Sequence, residues 1–175
     1  MSLAKKIARR SFLIGSAAVA GGVAFGVHWY RSQGPNPVEE GLAAGEAAIT
    51  PYVKITSDGI TLITPRADKG QGAYSVQAAL IAEELDVELD QVTVDPGVPS
   101  PVYYNTAFAE EMAPYPATDH SAMAETTRDL MDVLIKAMGL QMTGGSTTVP
   151  DSFVKLRAAG AVARETLKRP AAQQN

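Results

Sequence analysis

The sequence predicts an α+β domain with a short mixed β-sheet, a β-hairpin and three helices. Residues 52–56 and 60–64 alternate between apolar and polar side chains around the turn Ser57-Asp58-Gly59, which is typical of a β-hairpin. A further short strand is predicted at residues 92–94. Three longer stretches carry apolar residues at helical spacing, and they occupy residues 73–85, 121–138 and 150–169.

The first 31 residues form a separate predicted unit, a twin-arginine signal or a membrane anchor. They carry five basic residues and no acid, and residues 12–30 have no formal charge over a length that suffices to span a bilayer. Arg9-Arg10-Ser11-Phe12-Leu13 matches the twin-arginine export pattern, a route that carries folded proteins. We therefore expect a periplasmic protein, or one that faces the periplasm from the inner membrane, with a cofactor inserted before export. A plain basic-flanked anchor is the alternative.

The rest of the chain is predicted to comprise a linker at residues 32–48, weakly helical from residue 38, a domain at 49–169 and a frayed tail at 170–175. This part holds all 19 acidic residues but only ten of the 15 basic ones, so we expect no nucleic-acid partner. The absence of cysteine excludes disulfides and thiolate metal sites within the chain. No residue is assigned a catalytic or metal-binding role.

Two of the predicted helices have an apolar face that we expect to be buried. In the second helix this face comprises Met123, Thr127, Leu130, Met131, Leu134 and Met138, with the methionines as core filler. In the third helix it comprises Phe153, Leu156, Ala159, Gly160, Ala163 and Leu167. Residues 96–116, which lie between the predicted elements, are rich in proline and are expected to be irregular.

Two glycine-bearing loops precede helices and carry the functional prediction. They occupy residues 64–72 and 143–148, where unpaired backbone N–H groups at a helix N-terminus favour oxyanions. Neither loop contains a nucleophile with its base, and the first lacks the Lys-Ser/Thr ending of a P-loop. The loops therefore indicate a cradle for a phosphate- or oxo-bearing ligand, and a generic nucleotide binder is one hypothesis.

The two loops, together with residues 82–87, 92–94 and 156–164, resemble the molybdenum-binding large subunit of the xanthine dehydrogenase family. The resemblance runs in order from Tyr52 to Lys168 and is closest to the branch of isoquinoline 1-oxidoreductase β-subunits and membrane-bound aldehyde dehydrogenases. It implies molybdopterin, with the cytosine dinucleotide as one form, and places Gln71 beside the molybdenum, with Gly70 and Gly72 allowing close approach. It also implies that the pyranopterin or its nucleotide is wrapped by Gly144, Gly145, Ser146 and Thr147.

Members of this family are several times longer than this chain, and their catalytic glutamate lies in a distal segment. The resemblance therefore implies the N-terminal part of a large subunit, inactive alone, whose partners are the rest of that subunit, an iron–sulfur small subunit and a cytochrome. The assembled enzyme would oxidise an aldehyde or N-heterocycle with oxygen from water. The alternative is an exported, membrane-tethered interaction or assembly module, or an inactive truncated remnant.

Overall fold

A computed structural model describes residues 34–173 of the chain, with side chains up to residue 169. The predicted signal or anchor at residues 1–31 lies outside the described residues. The predicted α+β class is confirmed. In chain order the elements are β1 (Ala47–Thr50), β2 (Val53–Thr56), β3 (Gly59–Ile63), α1 (Ala73–Leu85), β4 (Val92–Asp95), α2 (Ala107–Met112), α3 (Ala122–Met138) and α4 (Thr148–Gln173), with single 3-10 turns at Leu89–Gln91 and Pro101–Tyr103.

The sheet is mixed and has the strand order β1-β2-β3-β4. The predicted hairpin is confirmed, because β2 and β3 pair antiparallel around a two-residue turn between Thr56 and Gly59. β4 pairs parallel to β3 after the crossover through α1. The expected weak helix from residue 38 is wrong, since this stretch forms turns and then β1. Gly41 and Gly45 have φ angles of 76° and 90°, which interrupt a right-handed helix, and the following residues pair with β2 instead.

The hydrophobic core lies between the sheet and two helices, α1 and α4. Its buried members are Val53, Leu62, Ala78, Leu80, Ile81, Ala82, Leu85, Leu156 and Ala163. The two helices approach closely at Gly160, where an added Cβ would lie 2.4 Å from the carbonyl oxygen of Ile81. The predicted buried stripe of α4 is therefore confirmed in its middle, while its ends, Phe153 and Leu167, are 46% and 37% exposed.

The bounds of α3 follow from local signals, but its expected buried face is wrong. Ser121 caps the helix by accepting from the Ala124 N–H, and Gly139 ends it with a φ of 58°. However, Ala124, Arg128 and Ile135 are the buried residues, and the predicted apolar face is largely solvent-exposed. The helix is amphipathic as predicted, yet no other element in residues 34–173 covers its apolar side.

The segment expected to be irregular contains the short helix α2. Asn105 starts this helix, because its Oδ1 accepts from the Phe108 N–H. This side-chain hydrogen bond orders part of a segment whose proline content predicts irregular structure. None of the helices in residues 34–173 combines the length and the hydropathy that crossing a bilayer requires.

We predict that Gly160→Ala lowers the free energy of unfolding by about 1–2 kcal/mol. A Cβ at 2.4 Å from a backbone oxygen takes the upper part of the overpacking range, about 2–3 kcal/mol, and the better helix propensity of alanine recovers about 1 kcal/mol of it. Urea denaturation of the full chain measures the difference. Ala158→Val on the exposed side of the same helix is the control, with a smaller change; a Gly160→Ala variant as stable as the wild type would contradict the close helix contact.

Candidate functional site

The loop that leads into α1 is organised by Asp68. Its carboxylate accepts from the Gly70 N–H at 2.7 Å and from the Tyr74 N–H at 2.9 Å. The hydrogen bonds from Tyr74 and Gly70 hold the pKa of Asp68 below its ordinary value. The N-terminus of α1, where the sequence predicts an oxyanion site, is therefore already satisfied by a carboxylate of the chain itself, which a bound anion would have to displace.

Gln71 folds back onto the same loop. Its Oε1 accepts from the Lys69 N–H at 2.6 Å, and its Nε2 donates to the Ala67 carbonyl at 2.8 Å. Both bonds are exposed, and such bonds contribute only about 0.5–1.5 kcal/mol each, so a ligand could exchange them at small cost. Gly70 and Gly72 have φ angles of 98° and 82° with open space where a Cβ would stand. The Gly70-Gln71-Gly72 surface is therefore accessible to a close approach.

In the second loop, the predicted site residues divide into a buried and an exposed set. Thr147 is 2% exposed; its Oγ1 donates to the Gly144 carbonyl at 2.6 Å and accepts from Asn105 Nδ2 at 2.7 Å. Gly145 and Ser146 are exposed and have φ angles of 58° and 57°. Thr147 thus holds the loop from behind, and Gly145 and Ser146 form its accessible surface.

A half-open cleft of about 280 Å³ lies beside the second loop. Ser146 and Thr147 line one side, and Glu110 and Glu111 of α2 contribute carboxylates to the same cleft. Two carboxylates disfavour a phosphate at this position, because like charges in a cleft repel. No group of three His, Cys, Asp or Glu side chains that could hold a metal ion is present in the described part of the chain.

The structure brings the two predicted loops into contact. The Ala67 N–H donates to Thr143 Oγ1 at 2.9 Å. Gln77 of α1 joins the same segments from within, since its Oε1 accepts from the Arg66 N–H at 3.1 Å and its Nε2 donates to Ser152 Oγ at 2.9 Å. The loops therefore form one continuous surface on a shared buried support.

That support centres on a buried ion pair that the sequence reasoning missed. Arg66 Nη2 lies 2.5 Å from Asp151 Oδ2, and each side chain is only 2% exposed. Arg66 Nη1 also donates to the Tyr103 carbonyl at 2.8 Å, and Lys155 Nζ lies 2.5 Å from Asp151 Oδ1. A signal was available in part: Asp151 follows Pro150 in the first turn of a helix, where an acid complements the helix dipole.

The charges around Asp151 keep it ionised. Burial on its own would raise the pKa of Asp151, but the cations of Lys155 and Arg66 and their hydrogen bonds hold that pKa below its ordinary value. A carboxyl with a depressed folded-state pKa stabilises the fold above its unfolded pKa, and this stability is lost as the pH falls through the folded value. The ionised carboxylate therefore supports the loops at neutral pH and loses this role in acid.

Asp132 on α3 is in the opposite situation. Burial, followed by the negative charge of Glu110, raises its pKa from 3.8 to about 6. Its Oδ1 is buried without a hydrogen-bond partner among the described residues. Ionisation of Asp132 therefore lowers the stability of the folded state.

Comparisons with known proteins find a similarity to an oxidoreductase subunit. No family model matches the chain, and no solved structure matches it. The isoquinoline 1-oxidoreductase subunit beta of Brevundimonas diminuta is 29% identical over 177 residues, which cover 97% of this chain and 18% of that protein. The chain thus spans less than a fifth of the length of this curated relative. The similarity supports a relationship to oxidoreductases, and the relative is itself a subunit of a larger enzyme.

We predict that Asp151→Asn lowers the free energy of unfolding by about 3–5 kcal/mol, because it leaves the buried Arg66 without its counter-ion. Denaturant unfolding at neutral pH measures the loss. The matched control is Glu165→Gln on the same helix, which breaks an exposed pair with Lys168 and should change stability by less than about 1 kcal/mol. Equal effects of the two substitutions would show that the buried pair is not the support described above.

We also predict that Asp132→Asn raises the free energy of unfolding by about 1 kcal/mol at pH 8, after allowance for solvent screening. The wild-type carboxyl binds its proton more tightly in the folded state, so ionisation above pH 6 destabilises only the wild type. The gain should fade between pH 6 and pH 4 and vanish below the unfolded pKa. Asp58→Asn in the hairpin turn controls for the loss of one charge. A gain that is constant with pH would refute the assignment.

Proposed function

We propose that this chain forms part of the large subunit of a molybdenum hydroxylase and supplies loops that help to hold molybdopterin. The assembled enzyme would oxidise an aldehyde or an N-heterocycle with oxygen from water. The observation that carries the proposal is the similarity to the isoquinoline 1-oxidoreductase subunit, which extends over 97% of the chain, so both loops lie within it. The contact between the two loops, from the Ala67 N–H to Thr143 Oγ1, supports a common ligand.

The first loop fits the cofactor through its open surface. The missing Cβ atoms of Gly70 and Gly72 leave the backbone free for close approach, and Gln71 can exchange its two exposed hydrogen bonds for contacts to the cofactor. Bound molybdopterin supplies two-electron redox chemistry. The role of this chain in the proposal is to bind and orient the cofactor, with Asp68 holding the shape of the loop.

The second loop fits the cofactor on its exposed side. Gly145 and Ser146 would contact the pterin or its nucleotide, while Thr147 and Gly144 keep the backbone in place through their mutual hydrogen bond. Because Glu110 and Glu111 border the adjacent cleft, the proposal assigns no phosphate to that cleft. In the proposal the loop therefore positions the cofactor through backbone and hydroxyl groups, and no proton transfer is assigned to it.

The proposal includes partners and a location. The rest of the large subunit would complete the cofactor site, and an iron–sulfur subunit and a cytochrome would accept the electrons. The twin-arginine pattern at Arg9-Arg10 supports export to the periplasm, as a free protein or at the inner membrane.

A second candidate function is an exported interaction module without a cofactor. The observation in its favour is that the first loop satisfies its own polar groups, since Asp68 and Gln71 accept from N–H groups of their own loop. Such a loop does not require a ligand for its order. One experiment distinguishes the two candidate functions. The C-terminally tagged chain is purified under native conditions from its own host, and molybdenum, pterin and co-purifying polypeptides are quantified. About one molybdenum per complex supports the hydroxylase, and a lone chain without metal or pterin supports the module.

We predict that Gln71→Ala lowers the molybdenum and pterin content and the turnover of that complex by tenfold or more, since it removes the side chain that would contact the cofactor. The matched control is Lys69→Ala in the same exposed loop, which should stay within twofold of the wild type. Circular dichroism verifies that both variants fold. Unchanged metal content and turnover in Gln71→Ala would remove Gln71 from the proposed site.

A further inference from the structure

The helix α3 presents an exposed apolar face that no other described element covers. We name as the α3 face the side chains Met123, Leu130, Leu134 and Met138, which are 67%, 61%, 54% and 71% exposed. Their spacing places them on one side of the helix. The face forms an apolar patch on the order of 400 Å², and patches of this size on soluble proteins mark interaction sites.

The acidic residues of α3 lie outside the α3 face. Asp129 is exposed on another side of the helix. The half-buried Asp132 follows Met123 by about two and a half helical turns, so it lies on the opposite side, and it has an oxygen without a partner in the described part. Glu110 of α2 adds a further negative charge near Asp132. The cations of the helix are engaged elsewhere: Arg128 donates to the Pro116 carbonyl at 2.8 Å, and Lys136 lies 5.7 Å from the centre of the Tyr104 ring.

Net charge limits which occupant fits. Residues 32–175 carry nine more acids than bases, so self-association of this acidic domain is opposed by charge. An anionic lipid surface is opposed for the same reason. The complementary occupant is a protein surface that inserts apolar side chains and surrounds them with Arg or Lys.

We infer that the α3 face is the docking surface for the polypeptide that supplies the rest of the large subunit. This inference rests on the proposed function and on the length of the relative, of which the matched part is 18%. The docking segment would place apolar anchors between Met123 and Met138. Its binding would bury the apolar stripe that the chain itself leaves in water.

The test is site-specific photo-crosslinking of the full chain in its own host. A photoreactive residue replaces Leu134, and the matched control replaces Val162 on α4, since both side chains are 54% exposed. The expected result is a cross-link from position 134, absent at position 162, to a polypeptide similar to the part of the relative outside the match. A cross-link to a second copy, to lipid or to an unrelated protein, or no excess over position 162, would overturn the inference.

Two exposed substitutions test the chemistry of the contact. Leu134→Asp should lower the recovered partner at least tenfold, and Val162→Asp should leave it unchanged. Equal recovery in Leu134→Asp and wild type would overturn the inference.

Molybdenum content, measured on the same samples, separates this inference from the proposed function. A partner cross-linked at position 134 in a complex without molybdenum supports the docking surface and refutes the cofactor role. A molybdenum-containing complex without that cross-link does the reverse.

Discussion

The buried ion pair between Arg66 and Asp151 determines where the segments of the candidate site lie. Arg66 follows β3 and Asp151 lies in the first turn of α4, yet their charged atoms are 2.5 Å apart in a region from which water is excluded. Burying two charges costs several kcal/mol, and further hydrogen bonds to most of the pair's other polar atoms offset this cost, although Arg66 Nε has no partner among the described residues. Arg66 Nη1 and Nη2 reach the carbonyls of Tyr103 and Tyr104, and Thr106 donates to Asp151. The ion pair and its hydrogen bonds therefore fix three segments, which are distant in the sequence, in one arrangement.

This arrangement gives the site a buried, rigid layer and an exposed, adaptable surface. Gln77, Asn105 and Thr147 are fully buried and join backbone groups of both loops. Gln71 and Ser146 are exposed in front of them, where the exchange of a hydrogen bond costs little. A surface of this kind positions a ligand through a fixed backbone while its contacting side chains adjust.

The parts of the fold that the sequence predicted are those with local causes. The hairpin follows from its turn residues, α1 from its apolar spacing, and α3 from the Ser121 cap and the Gly139 stop. The contact between the loops depends on the pair of Arg66 and Asp151, which are 85 residues apart, and no periodicity indicates it. β1 was missed because its strand state depends on an edge of β2 that becomes available only in the folded sheet. Likewise, the division of the residues named for the candidate site into buried and exposed sets required the tertiary structure.

The wrong prediction of a buried apolar face on α3 has a physical cause. Apolar periodicity indicates that one side of a helix is to be shielded from water, and it does not identify the molecule that provides the shield. In α1 and in the middle of α4 the shield is the chain's own core, as Ile81 and Leu156 demonstrate by their burial. For Leu130 and Leu134 no such cover exists among residues 34–173. Such an exposed apolar face is costly for an isolated domain, because it promotes association with other molecules without contributing to folding. The same spacing that fails as a description of the isolated chain is therefore consistent with burial in an assembly.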